Sequence, residues 1–507
     1  MIFNKINFDK IFKMAMCLCV LIGIFSLIIF LPHVRQFAIN FAEKRLGRTL
    51  KNPTAWNERM VLLELLFLFF IFAVQLFFYI FSSMLKSGLT AYFFIEEKLK
   101  KISTDQWLHF IPLFFFILAL CVMHFCIGES GDDVSYFNHA LADTSYFDFL
   151  KLRYNGWSSR LIIETVLINS YKFNFGLWRI LDVMAFVLIA ECMIAICLPQ
   201  KRFSCLVYAL ILFCTDYISL QSAGWGATTV NYVWALACAM PAFVVIKNIF
   251  LRKAFSIKQI VLSLVLLIFA LNQEQVVALV FGLSLSLFVI HLVLHKTFQK
   301  SDLYFVFIIL MCIASLIFIL TCPGNAIRFS SEVKTWFPEY TTLSFFDKIQ
   351  LGILTIFTYY FSGRGIIVLF PLFVMLSVRF YKISRKKFAI QIFLDFYLLL
   401  SLGLRILKKD FLLANKQLSQ FSTHSKIAVF IECGILMAIA ALFLYQVIFA
   451  MKNKWQNFLN ALLLSAGFCS AFIIAFSPTV YASGARCYLF FSYIIFLVTF
   501  RIFCDTK

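Results

Sequence analysis

Charge is scarce in this chain. Only 14% of its 507 residues are Asp, Glu, Lys or Arg, against 62% hydrophobic residues, 65 of them phenylalanine. A water-soluble fold of this length has too little interior to hide so much apolar side chain, which excludes a soluble protein. Paired cysteine spacings are missing as well. The 15 cysteines include no C-x-x-C, which argues against a cysteine metal site. Most of them, such as Cys17, Cys192, Cys312 and Cys469, lie in apolar stretches as small polarisable hydrophobes. Cys126 and Cys322, both near the outer ends of spans, are one pair that the sequence allows to form a disulfide. No A-x-A-like cleavage site follows the basic, then apolar, start MIFNKINFDKIFKMAMCL, so it reads as a retained first span. Nor is there a soluble domain, long linker or low-complexity segment. Without a basic soluble domain the net charge of +20 does not imply nucleic acid. The lysines and arginines sit between apolar spans, where the positive-inside rule and anionic headgroups put them.

What is present is a succession of apolar runs. A helix of about 20 residues crosses the ~30 Å hydrocarbon core. Such runs recur near 11–31, 60–84, 107–127, 176–198, 203–220, 229–248, 259–272, 275–294, 303–321, 365–380, 388–404, 427–449, 457–476 and 484–503. The sequence therefore predicts an all-α, polytopic integral membrane protein of about 13–14 transmembrane helices. Lys201, Arg202, Lys247, Arg252, Lys253, Lys258, Lys296, Lys300, Arg379, Lys382, Arg385, Lys386, Lys387, Lys452 and Lys454 fall in alternate connections. Those connections are expected to be cytoplasmic, as are both termini. The connection 32–59 strains this parity with its own arginines and lysines; a helix lying on headgroups would explain it, and so would a first span that does not cross. Residues 346–364 are expected to be re-entrant or interfacial, because an added crossing would put RFYKISRKK outside.

The unusual polar residues then gather on the external side. GESGDDVSYF follows the span 107–127 and carries Asp132 and Asp133. Adjacent carboxylates repel, so solvent, a cation or basic groups must balance them, and such a pair suits a base or a metal ligand; it also suits an ordinary capping turn. Trp157 and Arg160 follow in NGWSSRL, where both residues also serve as interfacial anchors. QSAGWGATTVNY permits a chain dipping into the membrane around Trp225, with Asn231 and Tyr232 opening the next helix. LNQEQVVAL breaks an apolar stretch at Asn272–Glu274, and Glu274 there needs a partner or a wet cavity. TCPGNAIRF brings Asn325 and Arg328, and SPTVYASGARCY brings Tyr481 and Arg486, each beside a span end broken by Pro or Gly. Arginine forks and broken helix ends suit phosphate, and the aromatic residues suit sugar faces.

Together GDDVSYF, W-S-S-R-L, GWGATTVNYVW, N-Q-E, C-P-G-N-A-x-R and S-P-T-V-Y-A-S-G-A-R resemble a group of bacterial multipass proteins. That group is related to the serotype-converting O-antigen glucosyltransferases and to the wider GT-C glycosyltransferases, and the resemblance covers roughly residues 107–503. It implies an accessory transmembrane hairpin at 1–106 and a GT-C-like membrane domain at 107–507. It implies sugar transfer from a polyprenyl-phosphate donor at the periplasmic face of a bacterial inner membrane, usually with inversion. Asp132 and Asp133 would be the catalytic pair, serving as base or as ligands of a divalent cation such as Mg or Mn. Arg160, Arg328 and Arg486 would bind the donor phosphate. Trp157, Trp225, Asn231, Tyr232, Glu274, Asn325 and Tyr481 would contact the sugar or a glycan or lipid acceptor. Ser159 stands where the group more commonly has glycine. The rival expectations are a transporter or flippase of lipid-linked or anionic cargo, which calls for polar residues on both sides, and a non-catalytic partner in envelope assembly.

Overall fold

The structure is a computed structural model that describes residues 104–172, 175–197, 203–253, 255–406 and 423–505. The hairpin expected at 1–106 and the connection 32–59 lie outside them, apart from residues 104–106. Among the described residues there is no β-strand. The helices follow in order: α1 (Thr104–Phe125), the single turn α2 (Asp132–Ser135), α3 (Tyr146–Gly156), α4 (Leu161–Lys172), α5 (Phe175–Cys197) and α6 (Ser204–Cys214). Next come the turn α7 (Tyr217–Leu220), α8 (Trp225–Phe250), α9 (Ile257–Ala270), α10 (Glu274–His295), α11 (Leu303–Thr321) and α12 (Pro323–Trp336). The chain closes with α13 (Phe345–Phe357), α14 (Ile366–Ile383), α15 (Arg385–Ile406), α16 (Thr423–Ile448), α17 (Lys454–Phe472) and α18 (Leu489–Asp505).

Nine stretches among the described residues are helices long and apolar enough to cross a membrane. This is a multi-pass, all-α membrane protein. Two expected spans take another form, each for a local reason. The run 203–220 breaks after the 11 residues of α6, because Asp216 turns its carboxylate onto Ser219 N and starts the separate turn α7. The run 259–272 is the 14-residue α9, stopped where Asn272 and Gln273 turn to cap other helices. The run 388–404 lies within the 22-residue α15. The segment expected to be re-entrant or interfacial forms the short α13 and a π-helical turn at Thr358–Ser362. Helix α8 starts at Trp225, so the Trp225 loop opens a helix rather than dipping as irregular chain.

The core is built around α8 and α18. Helix α8 packs on α5 and α9, and α18 on α14 and α17. Phe490, Phe496 and Phe500 are fully buried along α18. At the periphery the pattern inverts. On α11, Phe307, Leu310, Ile313, Ile317 and Leu320 are exposed, an apolar stripe at helical spacing that suits lipid rather than water. Cys126 and Cys322 are both free, so the allowed disulfide is not formed; the Cys322 thiol instead meets Tyr154 O at 3.1 Å.

Candidate functional site

Two loops clasp each other at one end of the bundle, and both need glycine. Gly131 has φ 57° and Gly224 φ 104°, values an L side chain rarely adopts. Space is short too: a Cβ on Gly224 would strike Ser130 O and the Asp133 carboxyl group. This closeness lets Asp133 reach the start of α8. Its Oδ1 accepts Ala227 N at 2.8 Å and its Oδ2 accepts Gly226 N at 3.2 Å. Asp133 is 0% exposed, and its negative charge lies where a helix N-terminus favours one. It is a capping residue supplied from another segment, so the two adjacent carboxylates stand in different surroundings.

Asp132 differs. It is exposed, and its backbone N–H donates to Ala223 O at 2.9 Å. Partial burial among neighbouring atoms raises its carboxyl above the usual range, against the pull of Arg486 and Arg153. Arg486 donates from Nη1 to Ser222 Oγ at 3.2 Å. Its Nε is buried with no hydrogen-bond partner, and so is Ser130 Oγ. A buried guanidinium donor left open is costly unless something arrives to accept from it.

Beside this lies a network of arginines and carboxylates. Arg160 grips Glu274 through Nε at 2.8 Å and Nη2 at 2.6 Å, and donates from Nη1 to Asn231 Oδ1 at 3.0 Å. Burial alone would lower the pKa of Arg160, but the Glu274 carboxylate more than reverses this and holds it above its ordinary value. Arg328 reaches the same carboxylate at 3.9 Å and Glu332 at 3.6 Å. Burial raises the Glu332 carboxyl, opposed by Arg328, Arg160 and Arg486 and reinforced by Glu274. The three arginines singled out in the sequence thus bear on one carboxylate. Arg153 forms a separate clamp on Glu164, at 2.5 and 2.6 Å, with Tyr136 OH at 3.2 Å.

The scaffold explains why these groups meet. Asn272 accepts from Ile162 N and Ile163 N at 3.0 and 3.1 Å and donates to Ser159 O. It thereby caps α4 and fixes the chain around Arg160. Gln273 caps α10 through Val276 N at 2.8 Å, which sets Glu274 at the first position of that helix. Gly324 sits so close to Arg153 O, Tyr154 O and Trp157 N that α12 is pressed onto the end of α3. Asn325 donates to Ser159 Oγ and Ile319 O, while its Oδ1 is buried without a partner.

The aromatic candidates separate. Trp157 is half-exposed, with Arg153 over its ring at 5.7 Å. Trp225 begins α8 and is partly buried. Tyr481 packs against Phe337 at 5.6 Å. Tyr232 is buried with its hydroxyl 3.4 Å from Cys487 Sγ and its ring beside Phe490, so it offers no ring face to a sugar. A divalent cation does not fit. Asp133 is committed to the α8 N–H groups, and Asp132 faces arginines. Among the described residues no group of three or more His, Cys, Asp or Glu is arranged to hold a metal.

Arg153, Glu164 and Glu332 went unnoticed in the sequence. Glu332 follows Arg328 at i+4, a spacing that on a helix makes an ion pair, so that signal was present. A second set was invisible. His124 pairs with Asp182 at 2.7 Å, and Trp234 Nε1 donates to the other Asp182 oxygen at 2.6 Å. His109 meets Glu191 at 3.3 Å, and Tyr208 OH donates to Glu191 at 2.6 Å. These groups lie inside α1, α5, α6 and α8, so buried polar residues are not confined to one end of the bundle as the sequence led us to expect. Comparison with protein-family models, with curated proteins and with solved structures finds no match to this chain.

Proposed function

We propose that this multi-pass membrane protein is an inverting glycosyltransferase. It moves a sugar from a polyprenyl-phosphate donor to a glycan or lipid acceptor at the external face of a bacterial inner membrane. One observation carries the reading: Asp132, accessible and with a raised carboxyl pKa, lies near Arg486, whose Nε is buried without a partner. A proton acceptor beside an open cationic donor is what glycosyl transfer from a phosphate needs. In the step itself the acceptor oxygen bonds to the anomeric carbon while its proton passes to the Asp132 carboxylate. The bond from that carbon to the phosphate oxygen breaks, and its electron pair leaves with the polyprenyl phosphate. Arg486 and Arg328 would meet the charge that develops there. Arg160, already neutralised by Glu274, would position Asn231 and Glu274 toward the sugar.

The test is to delete the gene and restore wild type or Asp132→Asn at matched membrane level, then analyse surface glycans by mass spectrometry. Asp132→Asn should lower transfer by at least about 100-fold, the scale of a lost general base. Full restoration of the missing sugar by Asp132→Asn would sink the reading. A second reading, transport of anionic or lipid-linked cargo, draws on the buried His124–Asp182 pair and the partly buried His109–Glu191–Tyr208 group among the spans, since ionisable residues inside a membrane mark pathways as well as folds.

A further inference from the structure

The arginines of the network are not held alike. Arg160 and Arg153 are locked, each by two or more contacts of 2.5–3.1 Å to a single carboxylate. Arg328 is held loosely: its carboxylate partners stand at 3.6 Å (Glu332) and 3.9 Å (Glu274), beyond hydrogen-bond distance. Glu274 cannot leave, because Arg160 binds it on both oxygens. Glu332 can: it is on the same helix as Arg328, four residues on, and no hydrogen bond ties its carboxylate among the described residues.

We propose that Glu332 is a built-in competitor for the anion seat on Arg328: its carboxylate stands at ion-pairing distance from the guanidinium until a phosphate displaces it. The proposal rests on the anion-binding part of the function given above and adds the residue that sets its affinity. An incoming phosphate would otherwise be a third anion around Arg328, beside Glu274 and Glu332, and the repulsion would offset much of the new contact. Moving or protonating Glu332 removes that repulsion. The groups facing Glu332 are Arg328 on its own helix and Arg160, Arg486 and Glu274 from other segments. Burial favours its neutral form while the three arginines oppose this. The competitor is therefore present at high pH and is lost as pH falls through the raised value. Arg486 Nε and Asn325 Oδ1, buried and unpartnered, are an open donor and an open acceptor in the same region, available to the phosphate and to a substrate hydroxyl.

The full-length protein in maltoside micelles is titrated with dodecyl phosphate and, separately, with inorganic phosphate, by calorimetry at pH 8 and pH 5.5. Glu332→Gln and Glu332→Asp are compared with wild type and with Arg328→Gln. If the competitor leaves about one molecule in ten competent at pH 8, Glu332→Gln binds about tenfold tighter there, and the ratio to wild type shrinks towards one at pH 5.5. Taking the ratio removes the titration of the phosphate itself. Glu332→Asp, one methylene short of Arg328, should shift affinity in the same direction by less. Tighter binding of dodecyl phosphate than of inorganic phosphate assigns the seat to a lipid phosphate, and equal binding assigns it to free phosphate; the Glu332 ratio supports the proposal in either case. Equal or weaker binding by Glu332→Gln at pH 8 overturns the competitor role and leaves the anion site standing. No binding by wild type or variant removes the anion site, and the transferase reading with it.

Discussion

Asp132 and Asp133 are neighbours in sequence with opposite physical situations, and replacing each should separate them. Asp133 is buried and satisfies two N–H groups of the first turn of α8. Asp133→Ala strands both donors and should cost about 2 kcal/mol, the upper end for side-chain caps, read as a lower unfolding temperature in detergent. Asp132→Asn keeps the shape of an exposed side chain and should change stability by no more than ~0.5 kcal/mol. Loss of transfer in Asp132→Asn without loss of stability fits a reacting group, whereas equal destabilisation in both would make the pair structural. The doublet was legible as unusual in the sequence. Its division of labour was not, because the partner of Asp133 lies 93 residues along the chain and nothing local marks it.

Helix starts near the site are held by side chains from elsewhere, and α12 shows how much depends on one such junction. Adding a Cβ to Gly324 would drive it into Trp157 N, Tyr154 O at 2.7 Å and Arg153 O at 2.9 Å. These are backbone atoms at the end of α3, which cannot rotate away. Gly324→Ala should therefore cost about 1–3 kcal/mol, as overpacking does, and weaken dodecyl phosphate binding by carrying Arg328 and Glu332 away from Glu274. Gly156→Ala, where nothing lies within 4 Å, is the control and should leave both unfolding temperature and binding unchanged. An unchanged Gly324→Ala would mean that α12 is not seated by this contact. At this scale the sequence spoke clearly about apolar length: nine of the expected spans are helices long and apolar enough to cross. It also marked the break at Asn272–Glu274, but it was silent on the interruption at Thr215–Asp216. Apolar periodicity runs through that interruption, and only the local hydrogen bond from Ser219 N to Asp216 ends the helix. Arg160, Arg328 and Arg486 were legible because each stood beside a broken span end, while Glu332 sat in an unremarkable amphipathic helix.

Across the whole molecule the question is whether the buried ionisable groups between α1 and α5 form a pathway or a fastening. Every polar atom of the His124–Asp182 pair has a partner: Leu120 O at 2.8 Å, Trp234 Nε1 at 2.6 Å and the shared contact at 2.7 Å. His124 and Asp182 are 1% and 0% exposed. A carrier of protons or anions needs a free valence and an approach for water or cargo. A saturated pair sealed from solvent instead behaves as a fixed cross-link between helices, costly to break on one side and cheap to replace on both. His124→Ala alone should destabilise by about 3–5 kcal/mol by stranding Asp182. The double variant His124→Gln with Asp182→Asn keeps an acceptor for Trp234 and gives the new amide N–H at position 182 an acceptor in turn, so it should recover most of that loss. Sugar transfer measured in membranes should then be close to wild type in the double variant. A stable double variant that has lost all activity would reverse the assignment and make the pair part of a transport path. In that case the polar network at the end of the bundle would be its entrance rather than a site of glycosyl transfer.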